Sequence, residues 1–305
     1  MNFIPIEGLI AAPFTPMLPN GSIDYDKIPT LVENLIKDGI IGAFVCGSNG
    51  EGPNMTISER KKVAETFVKA SAGRLKIWVH AGHPCIEDAK DLFKHAFEIG
   101  ADAGSAVASF YFKPENLHTL VACMKEIAAA EPRLPFYFYH IPVITGLQVN
   151  VEQFIHLALQ EIPNFQGVKY TANTIYEYQN CLHKFGDRIN VLFGYDEMLL
   201  PALAVGAKAA IGSTYNFAGP LYLRVVEYFQ AGDLDKARHT MNILIEMVLE
   251  MVKFSPIPAQ KAIMGILGQN VGGCRLPLNS LTLEQTELLK SRLEGIGFLD
   301  AIKNA

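Results

Sequence analysis

The stretch FQGVKYT, residues 165–171, has the apolar density of a buried strand yet carries a lysine near its middle. Taken alone, Lys169 reads as a side chain whose stem packs while its ammonium reaches water. The chain turns polar at once afterwards, through Thr171, Ala172 and Asn173. Seven similar runs surround it: LIAAPFTP (9–16), GAFVCG (42–47), KIWVHAG (76–82), DAGSAVAS (102–109), PFYFYHI (135–141), NVLFGYD (190–196) and AAIGST (209–214). Amphipathic stretches lie between them, such as ERKKVAETFVKASAG (59–73) and IEDAKDLFKHAFEIG (86–100). The second closes on Gly100, a helix C-terminal signal. Strands buried on both faces and alternating with helices predict the α/β class, a parallel sheet closed as a TIM (β/α)8 barrel. An open doubly wound sheet is the alternative. After about residue 218 only helical patterns remain. The expected division is a barrel over residues 1–225 and a C-terminal helical extension over 226–305, packed on it.

Composition narrows the function. The chain has 305 residues, is 50% apolar and carries a formal net charge of −5. It has neither a basic run nor a basic-aromatic stripe, so no nucleic-acid partner and no membrane partner is expected. Five cysteines, at 46, 85, 123, 181 and 274, lie far apart without a CxxC pair. They read as reduced, buried thiols of a cytoplasmic protein. The opening MNFIPIEGLIAAPFTP lacks a basic start and is broken by prolines, unlike a secretory leader. The apolar run 241–254 holds two Glu and a Lys and is too short to span a bilayer.

Barrels of this kind carry their reactive groups at the C-terminal ends of the strands. There the runs offer Ser48 and Asn49 in GSNGEG (47–52), Tyr111, Tyr139, Lys169 with Thr171, Asp196 with Glu197, and Ser213. A lysine among phenols and hydroxyls suggests covalent amine catalysis, in which a neutral amine attacks a ketone and the resulting iminium accepts electrons. At an ordinary pKa of ~10.4 only about one lysine in two thousand is neutral at pH 7. Burial raises that fraction, and Val168 with the aromatic neighbouring strands is expected to supply it. Tyr139 is a candidate proton relay, or else an ordinary core tyrosine. GSNGEG suits a carboxylate, and its glycine spacing is not that of a dinucleotide fingerprint. No metal is expected: His80 and His83 are three apart on a predicted strand and would face opposite sides. Asp196 and Glu197 would repel a phosphate and suit the hydroxyls of a neutral polyol.

In this order and spacing, GSNGEG, YHIP with TG, GVKYT, FGYDE and GSTYN resemble the pyruvate-dependent class I aldolases that include N-acetylneuraminate lyase and dihydrodipicolinate synthase. The resemblance covers nearly the whole chain. It implies a homotetrameric barrel whose Lys169 forms a Schiff base with pyruvate, no cofactor being needed, and whose Tyr139 shuttles protons. It implies that Ser48 and Asn49 hold the pyruvate carboxylate and that Tyr111 reaches into a neighbouring subunit's site. The synthase branch places an arginine two residues after the proline of Y-x-x-P, where this chain has Ile144. The sugar-binding set of the lyase branch is matched by Thr171, Gly194, Asp196, Glu197 and Ser213. The expected reaction is therefore reversible cleavage of N-acetylneuraminate, a sialic acid, to N-acetylmannosamine and pyruvate. The alternative is another pyruvate-dependent aldolase or dehydratase acting on a ketodeoxysugar acid; a non-catalytic sugar-acid sensor is a third reading. Two departures stand out: Asn49 where the family usually has threonine, and Ser109 where proline is common.

Overall fold

The computed structural model describes residues 5–305. Eight strands, β1 (Gly8–Ala11), β2 (Gly42–Val45), β3 (Lys76–His80), β4 (Ala103–Val107), β5 (Phe136–His140), β6 (Phe165–Tyr170), β7 (Asn190–Phe193) and β8 (Ala209–Gly212), close into a barrel in chain order. All neighbours pair in parallel, including β1 with β8. The expected TIM barrel is the fold, and the open sheet is set aside.

Each apolar run lies between two packed layers. Ile10, Phe44, Trp78, Tyr137, Tyr139, Leu192 and Ile211 fill the barrel interior. Alternate residues such as Leu9, Val45, Phe138, Val168 and Tyr170 face the surrounding helices. Both faces of the sheet are buried, so the hydrophobic pattern is continuous rather than alternating. The helices begin and end on local chemistry. Thr56 and Glu59 form a reciprocal capping box at the start of helix Ile57–Ser71. Gly100, at φ +83°, turns the chain away after helix Ile86–Glu98.

Beyond β8 the chain is helical, through Tyr215–Gln230, Leu234–Met251, Pro256–Ile266, Leu283–Gly295 and Phe298–Lys303. Residue 225, where the barrel was expected to end, lies inside the first of these helices. Met241, Leu244, Met247, Val248 and Met251 are buried along one face of the second. Among the described residues no helix is long and apolar enough to cross a membrane. The cysteines are free, but only Cys46 and Cys181 are buried; Cys85 is exposed, which corrects the expectation of five buried thiols.

Candidate active site

At the C-terminal mouth of the barrel, a cavity of about 400 Å³ is lined by Ser48, Asn49, Tyr139, Lys169, Thr171, Gly194, Asp196, Glu197 and Ser213. All but one of the residues singled out from the sequence therefore meet in one place. Tyr111 is the exception. It lies 77% exposed beyond the cavity, its ring edge-on to Phe112. Its loop is tied to the turn after β5 by Lys113 Nζ, which donates to Gly146 O at 3.1 Å.

Lys169 points inward from β6, level with Tyr139 on β5 and Leu192 on β7. Its Nζ rests 4.1 Å from the centre of the Phe44 ring and 4.2 Å from that of Tyr139. Val168, expected to help desolvate it, faces the helices instead, because successive residues of a strand point to opposite sides. Phe44 on β2 takes that part. Burial pulls the Lys169 pKa down to about 7, against the upward pull of the Asp196 carboxylate. Roughly half of the amine is then neutral at pH 7.

Burial pushes the Tyr139 phenol up to about 12, although the Ser48 and Thr171 hydroxyls pull it down. The resting tyrosine is protonated. It can pass its own proton onward while accepting another, which is what a relay requires. Beside it, His80 packs edge-on to the Tyr139 ring at 5.6 Å, its Nδ1 3.0 Å from Ser105 Oγ. Burial, the Arg60 charge and Lys169 hold the His80 pKa well below its usual value. His83 lies in the loop after β3, not on the strand as expected, and accepts from the Cys85 N–H. Among the described residues no group of three or more His, Cys, Asp or Glu side chains is placed to hold a metal ion.

The 47–52 turn is tightly wound. Gly52 N donates to Gly47 O at 3.0 Å and Glu51 N to Ser48 O at 3.0 Å. A Cβ on Gly52 would lie 2.0 Å from Cys46 O, so only glycine closes the turn. Thr15 Oγ1 donates to Gly50 O at 2.6 Å from the loop after β1. Ser48 and Asn49 are thereby presented to the cavity from a backbone held on its far side.

The two acids differ. Asp196 is buried, and its Oδ2 accepts from the Thr214 N–H and Oγ1–H, both at 2.7 Å. It braces the loop after β8. Glu197 is only half-buried, and burial followed by the Asp196 charge pushes it up to about 7. Thr171 Oγ1 is enclosed but makes no hydrogen bond of standard geometry. It fits beside β7 because residue 194 is glycine: a Cβ there would stand 2.1 Å from that oxygen. Thr171 lines the cavity, and its hydroxyl stands beside the Tyr139 phenol, whose pKa it pulls down.

The opposite wall was not anticipated. Val248, Met251, Val252, Ile257 and Leu278, all from the helical extension, line the cavity. Periodicity identified the helices that carry Val248, Met251 and Ile257 but not the face turned to the mouth.

A closed barrel whose mouth encloses an amine beside a phenol suits covalent carbonyl chemistry, and the matches to known proteins make the chain a lyase-type enzyme. Residues 5–296 match the model of the Dihydrodipicolinate synthetase family, and the chain belongs to that family. It is 37% identical to the N-acetylneuraminate lyase of Rattus norvegicus over 299 residues, 96% of this chain and 93% of that one. With N-acetylneuraminate lyase B of Xenopus laevis it shares 42% identity over 255 residues, 82% of this chain and 96% of that one. The solved N-acetylneuraminate lyase of Proteus mirabilis superposes with a TM-score of 0.93 at 38% identity, covering 96% of this chain and 99% of that one.

Proposed function

We propose that the protein cleaves N-acetylneuraminate reversibly to N-acetylmannosamine and pyruvate through a Schiff base on Lys169. The observation that carries this reading is the amine itself, enclosed by the Phe44 and Tyr139 rings and brought to a pKa of about 7. The neutral amine attacks the C2 ketone of the open-chain sugar. With a proton supplied, water leaves and an iminium forms. The Tyr139 oxygen takes the C4 hydroxyl proton as it passes its own through the Ser48 hydroxyl to solvent at the mouth; the C3–C4 bond breaks, and its electron pair is held as an enamine. The aldehyde departs as N-acetylmannosamine. Protonation of the enamine at C3 and hydrolysis of the iminium release pyruvate and the free amine. Lys169 is the only electron sink in this sequence of steps.

Ser48 and Asn49 hold the keto-acid carboxylate, the Asn49 amide substituting a donor for the usual threonine hydroxyl. Thr171, Glu197 and Ser213 bind the sugar hydroxyls, with Asp196 setting the loop they share and Gly194 giving Thr171 its room. Among the described residues lining the cavity, Lys169 is the only lysine or arginine. With Ile144 on the rim, an aldehyde carrying its own carboxylate meets no counter-ion, which favours a neutral sugar. Hydrogen-bonding sites discriminate strongly against ligands that leave them unpaired. The protein acts as a homotetramer in the cytoplasm, with the exposed Tyr111 reaching into a neighbouring copy's site to extend its hydroxyl relay.

The test is pyruvate release from N-acetylneuraminate by the wild type and by Lys169→Ala, together with pyruvate and borohydride labelling. Label on Lys169 and loss of release in the variant are expected. Release that survives the substitution refutes the mechanism. Faster turnover of a ketodeoxysugar acid than of N-acetylneuraminate moves the substrate to the alternative class.

A further inference from the structure

A second buried lysine lies behind the 47–52 turn. Lys261, on helix Pro256–Ile266, is 3% exposed, and Glu51 is 1% exposed. Their Nζ and Oε1 atoms are 2.6 Å apart. The other two donors of Nζ go to Thr15 O at 3.0 Å and Gly273 O at 2.7 Å, so all three ammonium hydrogens are placed. Glu51 Oε2 accepts from the Arg275 N–H at 2.9 Å. A pair buried with every donor occupied fixes geometry rather than adding much stability, since desolvation offsets most of its attraction.

The place of this pair gives it a use. Glu51 is two residues from Asn49 and has φ +55°, in the left-handed region. Its side chain runs to the extension, where Lys261 Nζ and the Arg275 backbone N–H hold its two oxygens. Thr15, which shares Lys261 through its carbonyl, also donates to Gly50 O. Neither Glu51 nor Lys261 lines the cavity together with Lys169.

From these contacts we infer that Glu51 and Lys261 are positioning residues for keto-acid binding. The helical extension, through this pair, holds Ser48 and Asn49 at the height where they meet the pyruvate carboxylate. This rests on the proposed Schiff-base reading. The pair touches no substrate; it sets where the donors stand. Because Lys169 hangs from β6 and not from the turn, disturbing the pair moves the carboxylate donors relative to the amine while leaving the amine intact.

The experiment measures pyruvate half-saturation of borohydride labelling at Lys169, with maximal labelling rate and Tm recorded alongside. Wild-type labelling establishes the parent reading, and its absence overturns both. Glu51→Asp keeps the charge and tolerates the backbone angle but shortens the reach by one methylene. It is expected to raise half-saturation roughly 10-fold with the maximal rate changed less than about 3-fold, since small misplacements of binding groups cost up to ~100-fold. Lys261→Met leaves a buried carboxylate unpaired and is expected to raise half-saturation further. Adding Glu51→Gln to Lys261→Met removes that orphan charge and should recover part of the loss. Folded variants that lose Tm but keep wild-type half-saturation overturn the inference, as does a fall in maximal rate alone. Should Lys261→Met fail to fold, Glu51→Asp decides by itself.

Discussion

Lys169 and Lys261 are equally hidden, at 4% and 3% exposure, and their surroundings are opposite. Lys261 has a carboxylate and two carbonyls within hydrogen-bonding distance. Lys169 has two aromatic faces, and Asp196, its source of negative field, is itself bonded to Thr214. Burial alone does not decide what a lysine does. With acceptors around it a buried amine becomes a fixed cation and a tether; without them, desolvation favours the neutral form and makes it a nucleophile.

The contrast breaks most visibly at Lys169. Lys169→Met should lower pyruvate release by roughly 10⁴-fold or more, as loss of a nucleophile does. It should also raise Tm by roughly 2–4 °C, corresponding to about 1 kcal/mol, because a poorly accommodated buried amine is gone. A lower Tm, measured by calorimetry, would place Lys169 with Lys261 as a structural residue. Tyr139→Phe keeps the ring beside the amine and removes the relay. The expected loss is about 10²–10⁴-fold in the rate of cleavage, with Lys169 still labelled by pyruvate and borohydride.

A smaller effect sharpens the comparison through pH. The folded Lys169 pKa lies near 7, below its usual value, so the reactive form is lost as pH falls. The initial rate of imine formation with pyruvate should drop about tenfold per unit below pH 7 and level off above it. Pyruvate alone is used because Glu197, pushed up to about 7 on the sugar side, would otherwise add its own titration. A flat profile between pH 5 and 7 would mean the amine is not the titrating group. Smallest of all, Thr171→Val removes a buried hydroxyl that makes no hydrogen bond of standard geometry within the protein. The free protein should gain up to about 1 kcal/mol, and sugar affinity should fall by roughly tenfold. Denaturant melts and the KM for N-acetylneuraminate would show the two changes moving in opposite directions.

Much of this was legible from the chain because it is local. Eight apolar runs, each next to a helical period, gave the barrel, and its strand ends gave the residues that meet at its mouth. What escaped depends on a third dimension. Phe44 and Val168 look equally able to shield Lys169, and only the inward or outward phase of each strand tells them apart. Glu51 and Lys261 are 210 positions apart and join through a helix whose apolar pattern announces burial but not its neighbour. Cys85 carries no local sign of its exposure. His83 was misplaced because β3 ends at His80, and strand ends are poorly marked by composition.

The extension behaves less like an appendage than like a clamp. Besides Lys261, it sends Arg275 across to Glu59, with Nη1 and Nη2 at 2.9 and 2.8 Å from the two carboxylate oxygens. An engineer trimming the chain to its eight β/α units, to graft the mouth onto a smaller scaffold, would delete the brace with the surplus. The lysine would survive the surgery; the 47–52 turn would lose its ties to Lys261 and Arg275.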